Sequence, residues 1–127
     1  MTPLRDFWRN RRGATAIEFA FTAPLFIGCL FAIVQFCLAL YTQSAIQHGA
    51  EMAARCAGIG VCGNETAVQN FAVAQSYGLN PPASTFSLAA ATCGSLVSAV
   101  YTFNYLTSYT GGPSVTLTAS SCFPKQS

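Results

Sequence analysis

Charged side chains are scarce in this sequence. Only 8% of the 127 residues are charged and 52% are hydrophobic, whereas a soluble domain is about 25% charged. Most of the basic residues precede Gly13: Arg5, Arg9, Arg11 and Arg12. Nucleic-acid binding requires a basic face on a folded element, and the rest of the chain has none. The composition therefore excludes nucleic acid as a partner and predicts that part of the chain lies outside water.

Residues that could form a catalytic or metal-binding site are also few. No aspartate follows Gly13, His48 is the single histidine, and Glu51 and Glu65 are too isolated for an acid–base pair. No nucleophile elbow or phosphate-binding glycine loop occurs, and zinc is disfavoured because no Cys-x-x-Cys is present. We therefore expect no enzymatic activity, no metal and no cofactor, and interpret His48 as a solvated or interface polar residue.

One long apolar run is present, over residues 19–41, and it contains no ionised side chain. Its 23 residues exceed the about 20 that cross a hydrocarbon core, whereas a secretory signal has an apolar region of about 7–15 residues. A buried core helix is the alternative interpretation. Because the arginines lie on the N-terminal side, that end is predicted to be cytoplasmic. Pro24 predicts a local bend or a lost hydrogen bond near residues 20–24.

The helical pattern continues to about residue 57. Small or apolar residues recur there at helical spacing: Ala45, Gly49, Met52, Ala53 and Cys56. The outer part of the helix is therefore expected to present this stripe to a packing partner.

The remaining residues, 58–127, are predicted to form a small α+β domain. Asn64 is suited to cap a short helix over residues 65–77, and Gly78 and Pro81 are suited to end it. Alternating apolar residues then predict three strands with a loop over residues 108–114; the strands fall within residues 85–92, 96–106 and 115–119. The expected fold class is α+β, pilin-like: a long N-terminal membrane-spanning helix, a short second helix and an antiparallel sheet of about three strands.

The cysteines divide into two groups. Cys29 and Cys37 lie in the apolar run and are interpreted as plain apolar side chains. The other four are expected in a compartment that permits disulfides: Cys56, Cys62, Cys93 and Cys122. Of the three possible pairings, we favour Cys56–Cys62, which closes a short glycine-containing loop, and Cys93–Cys122, whose thiols share the less apolar face of the sheet.

The second pairing has a geometric requirement. In a strict meander, strands one and three lie about 9.6 Å apart, whereas bridged Cα atoms usually lie within about 6.8 Å. The bridge therefore requires either that strand three pairs directly with strand one or that Cys122 lies past the end of the third strand and folds over the hairpin end near Gly94. We favour the second arrangement.

A single carboxylate, Glu18, stands at the start of the apolar run. An acid is favoured in the first turn of a helix by the helix dipole, and it costs less near the membrane surface than at the centre, where the cost is about 2.5–3.5 kcal/mol. From these arguments alone, Glu18 is either an interfacial acid or a functional residue.

The surroundings of Glu18 resemble a type IV prepilin processing site. A basic leader ends at Gly13, small residues follow, and the pair Glu18–Phe19 precedes the hydrophobic helix. Residues 11–57 resemble the TadE-like family of minor pseudopilins from Tad (Flp) type IV pilus biogenesis. Beyond residue 60 only the general plan of a helix followed by a sheet is shared.

The resemblance implies that a membrane aspartyl prepilin peptidase cleaves the bond between Gly13 and Ala14. Cleavage frees an α-amine with a pKa of about 8, which is cationic at neutral pH. In the family, the partner of the glutamate is the N-terminal amine of a neighbouring subunit. An unpaired buried charge is costly, so a subunit is expected to take the position at which its Glu18 pairs with a neighbour's amine. Glu18 and Phe19 are therefore expected to set the register in which subunits assemble.

These observations predict three parts: a basic cytoplasmic leader (1–13), a transmembrane and extended helix (14–57) and an exported α+β domain (58–127). The expected function is that of a minor pseudopilin in pilus biogenesis and surface attachment. Its expected partners are prepilin peptidase, other pilins or pseudopilins, inner-membrane platform proteins and the lipid bilayer.

The expected location is the bacterial inner membrane, in a single pass, with the N-terminus cytoplasmic and the domain periplasmic. A place in the pilus fibre or at its tip stays open. The alternative is an uncleaved single-pass envelope protein whose exported domain binds a partner.

Overall fold

The structure is a computed structural model and describes residues 12–126. Two helices are followed by three strands: α1 (Arg12–Gly58), α2 (Glu65–Ala74), β1 (Phe86–Ala91), β2 (Gly94–Asn104) and β3 (Ser114–Phe123). The predicted α+β fold, with a long first helix, a short second helix and three strands, is confirmed. Residues 1–11 of the predicted leader lie outside the described residues.

The chain divides into two compact units, Met1–Phe36 and Cys37–Ser127. In the first, α1 exposes large apolar side chains: Ile17, Phe19, Phe21, Leu25, Phe26, Ile27, Leu30, Phe31, Ile33, Val34 and Phe36. Among the described residues, one helix is long and apolar enough to cross a membrane, with a mean hydropathy of 2.3 in its most apolar stretch. This indicates a single-pass membrane protein. Pro24 removes one backbone N–H but does not end α1, which is continuous over 47 residues.

In the second unit, the C-terminal part of α1 packs into the core of the domain. Ile46, Ala50 and Ala53 are fully buried together with Phe86 and Val97 of the sheet. Within the predicted small-residue stripe Met52 is half-buried and the other four residues are buried. The partner of this stripe is the domain itself.

The close approach of α1 and α2 depends on a glycine. A Cβ atom at Gly49 would lie 2.6 Å from Ser76 Oγ and 2.8 Å from the carbonyl oxygen of Ala72. Both distances are shorter than van der Waals contact, so only glycine allows the two helices to pack this closely.

The sheet is an antiparallel meander in the order β1-β2-β3. Phe86 of β1 pairs with Ala99 of β2, and Ala99 pairs with Ala119 of β3. These three residues are buried, so they define the face that packs on the helices. Their neighbours in sequence, such as Thr118 and Ser120, lie on the exposed outer face.

Three predicted boundaries were wrong. Helix α2 ends at Ala74 rather than at residue 77, and Gln75 is its C-cap. Gly78 (φ +78°) therefore belongs to the following turn and is not the residue directly after the cap. Strand β3 extends to Phe123 rather than ending at residue 119, and β2 ends at Asn104 rather than at residue 106, because a 3-10 turn, Leu106–Thr110, begins there.

Both favoured disulfides are present in the structure. Cys56 is bonded to Cys62 with a Cα–Cα distance of 5.3 Å, and Cys93 is bonded to Cys122 with a Cα–Cα distance of 6.3 Å. The expectation that Cys122 lies past the sheet was wrong, because it lies within β3 opposite Leu96. The bridge forms because Cys93 lies in the β1–β2 turn rather than on β1, so it closes over the end of the hairpin.

Candidate functional site

The predicted scissile bond lies in the first turn of α1. The helix begins at Arg12, and Gly13 is exposed, with no atom within 4 Å of the position that a Cβ would occupy. The bond after Gly13 is therefore sterically open on the glycine side.

Glu18 lies in the second turn of α1, so the expectation of a first-turn acid was wrong for the uncleaved chain. The dipole effect is confined to the terminal turn and contributes little to Glu18 in this form. The backbone carbonyl of Glu18 accepts a hydrogen bond from Thr22 Oγ1 at 2.8 Å. Its side chain is exposed and has no hydrogen-bond or ion-pair partner among the side chains that the structure describes.

Large apolar side chains surround this carboxylate along the helix. Phe19, which is 73% exposed, follows it directly, and Ile17 and Phe21 are also exposed. If this stretch is covered by other apolar helices or by lipid, the ionised Glu18 needs a cation in the same environment. The geometry thus combines an open bond after Gly13 with an acid, a short distance along the same helix, that has no partner among the described side chains.

His48, expected to be a solvated or interface polar residue, lies between α1 and the turn that follows α2. It is half-buried, its Nδ1 lies 2.8 Å from the carbonyl oxygen of Gln75, and its ring stacks on Tyr77 with a centroid distance of 4.4 Å. Because Tyr77 has a positive φ of 49°, it lies in a tight turn after α2. His48 therefore holds this turn against α1, a contact that the spacing of residues in the sequence does not reveal.

The acids of the domain are separated from one another. Glu51 accepts a hydrogen bond from Gln47 Nε2 at 2.9 Å, and Glu65 lies in the first turn of α2, where the helix dipole favours it. Within residues 12–126, no group of three His, Cys, Asp or Glu side chains could hold a metal ion. The free thiols found there, Cys29 and Cys37, are exposed on α1.

Comparison with known proteins gives a match to a family model. Residues 13–55 match the family model described as TadE-like protein, and the matched stretch includes Gly13, Glu18 and Phe19. The resemblance to the TadE-like family is confirmed over this stretch, which is about a third of the chain, and it indicates a protein associated with a Tad pilus. No curated protein and no solved structure matches the chain.

Proposed function

We propose that the protein is a minor pseudopilin: a substrate of prepilin peptidase that acts as a structural subunit in assembling a Tad (Flp) pilus, with no enzymatic activity. The observation that carries this proposal is the family match beginning at Gly13, combined with the exposed Glu18 on an apolar helix surface. The other pilus components are its expected partners.

The chemistry of Glu18 supports an assembly role. Cleavage after Gly13 creates a cationic amine on Ala14, and it removes the arginines that stand before the apolar helix. A subunit packed beside its neighbour can then pair its carboxylate with the neighbour's amine. A charge pair of this kind in an apolar environment specifies register, because a displaced neighbour leaves both charges unpaired.

The second unit supports a structural rather than a catalytic role. Two disulfides close the domain, and α1 contributes directly to its core through Ile46 and Ala50. The outer part of α1 is thus part of the core of the cross-linked domain, so the two move together. The four leader arginines favour an orientation with the N-terminus in the cytoplasm and the domain in the periplasm.

The mature N-terminus tests this proposal. We expect the full chain, produced in membranes with an active prepilin peptidase, to begin at Ala14 by intact-mass measurement and N-terminal sequencing. Gly13→Val should block cleavage, whereas the control Gly63→Val, at another glycine with open surroundings, should not. A wild-type chain that keeps its arginines in the presence of active peptidase would instead identify an uncleaved single-pass envelope protein.

A further inference from the structure

The charged residues of the exported domain lie towards the end where α1 terminates, here called the distal end. Arg55 is in the last turn of α1, and Glu65 begins α2 shortly after the Cys56–Cys62 bridge. Lys125 precedes Gln126, whose amide donates a hydrogen bond to the carbonyl oxygen of Gly58 at 3.0 Å. The remaining charge, Glu51, lies ten residues beyond Tyr41, which is about 15 Å along the helix.

The opposite end of the domain is uncharged and aromatic. Tyr41 ends the apolar run, and its hydroxyl donates a hydrogen bond to the carbonyl oxygen of Tyr77 at 2.5 Å. Tyr41 is 47% exposed and Tyr77 is 56% exposed. Helix α2 therefore runs back along α1 and delivers its terminal turn to the level at which the apolar run stops.

The β2–β3 connection reaches the same level. Gln43 Nε2 donates to the carbonyl oxygen of Thr118 at 2.8 Å, and Gly58 packs against Phe123, so β3 and α1 run in the same direction. Ser114, the first residue of β3, lies four residues before Thr118, which is about 13 Å along the strand. The 3-10 turn before it therefore lies at or beyond the level of Cys37–Tyr41.

This turn presents an apolar side chain to the surroundings. Leu106 is 60% exposed, and the sequence contains no charged residue between positions 66 and 124. We define the proximal surface by Tyr41, Tyr77 and Leu106. Tyrosine is enriched at membrane interfaces because its ring is apolar and its hydroxyl is polar.

We propose that the proximal surface rests on the bilayer that α1 crosses, with Leu106 and Tyr77 inserted at the level of the lipid headgroups. The proposed occupant is the lipid interface for two reasons. The proximal surface begins at Tyr41, where the apolar run ends, and the charged residues of the domain lie towards its distal end. The absence of charge predicts a contact that does not depend on anionic lipid. This inference requires that α1 spans a membrane, but it does not depend on the pseudopilin proposal.

Tryptophan quenching by brominated lipid measures the contact directly. The single native tryptophan is Trp8, so the variants are made in a Trp8→Phe background of the full chain. Leu106→Trp reports on the proximal surface. The control Val61→Trp replaces a 74% exposed residue within the Cys56–Cys62 loop at the distal end. Both variants are reconstituted into phosphatidylcholine vesicles with or without bromine on the acyl chains near the headgroup.

We expect brominated lipid to reduce the emission of Leu106→Trp and to leave Val61→Trp unchanged, with no effect of added salt. Intact mass under non-reducing conditions verifies that both disulfides have formed in each variant. An unquenched Leu106→Trp in a correctly inserted chain would overturn the proposal, and so would equal quenching at both positions. Emission that changes with protein density rather than bromination would identify a second copy as the occupant and also overturn it. Failure of leader cleavage would leave all of these results unaffected.

Discussion

Glu18 is the residue on which the assembly hypothesis depends. Its carboxylate is exposed on α1 among apolar side chains, and the family match covers it. Near a membrane surface such a residue is tolerated, but within a bundle of apolar helices it requires a cation. An interfacial acid and an assembly residue therefore differ in their response when the charge of Glu18 alone is removed.

We expect Glu18→Gln to leave membrane insertion intact and to reduce incorporation of the chain into pilus assemblies. The amide keeps the size of the side chain but cannot form an ion pair with an amine. Insertion is measured by resistance to carbonate extraction, and incorporation by the amount of chain recovered with other pilus subunits. Glu51→Gln, at an exposed acid outside the apolar run, is the matched control and should affect neither. Normal incorporation of Glu18→Gln would assign Glu18 to the interfacial role.

Gly49 is the residue that sets the distance between α1 and α2. We expect Gly49→Val to destabilise the domain by about 1–3 kcal/mol, since the added atoms meet the backbone of α2 as well as Ser76. Thermal unfolding of the detergent-solubilised chain measures the change. Gly63→Val, where no neighbouring atom lies within 4 Å, should stay within about 0.5 kcal/mol of wild type. Equal stability of the two variants would contradict the packing described for Gly49.

At the scale of the elements, local patterns predicted most of the fold. The change from helical to alternating periodicity located all three strands, and Asn64 located the start of α2. The predicted ends of the helices and strands were less accurate, because contacts between residues distant in sequence decide where an element ends. Strand β3 continues to Phe123 since β2 offers it pairing partners as far as Ser95. Helix α2 stops at Ala74 because the turn with Tyr77 is held by His48 on α1, a contact distant in sequence.

The N-terminal cap of α2 makes a measurable contribution. The side chain of Asn64 accepts a hydrogen bond from the amide of Ala67 at 2.8 Å, so we expect Asn64→Ala to lower the free energy of unfolding by about 1 kcal/mol. Asn70→Ala, at an exposed position inside the same helix, is the control and should be neutral or slightly stabilising because alanine is the better helix former. A smaller loss for Asn64→Ala than for Asn70→Ala would refute the capping role.

The two disulfides are expected to contribute unequally. The Cys93–Cys122 bridge spans 29 positions and the Cys56–Cys62 bridge spans 6, so loop-closure entropy predicts about 3.6 and about 2.4 kcal/mol, respectively. We expect the Cys93→Ser/Cys122→Ser double variant to lose about 1 kcal/mol more stability than Cys56→Ser/Cys62→Ser. Chemical unfolding of both variants measures the difference, and non-reducing peptide mapping of the wild type verifies the pairing. The reverse order of stabilities would show that packing around Cys56 outweighs loop length.

At the scale of the whole molecule, the sequence could predict the fold class of the chain but not the surfaces between chains. The order of leader, Gly13, Glu18 and apolar run predicted the resemblance to the TadE-like family that the match over residues 13–55 confirms. The partner of Glu18 lies on another subunit in the proposed assembly, so no pattern in this sequence identifies it. The proximal surface was missed for a related reason: Tyr41, Tyr77 and Leu106 reach the same end of the domain only when α2 and the sheet fold back along α1.

Pilus formation in cells tests the central claim that this chain is an assembly subunit. The measurement is the number of pili and the surface attachment of cells that make a Tad pilus but lack this chain, before and after it is supplied again. We predict that pili and attachment are lost without the chain, restored by the wild type, and not restored by Gly13→Val, which should retain its leader. Normal piliation and attachment in cells that lack the chain would contradict the account.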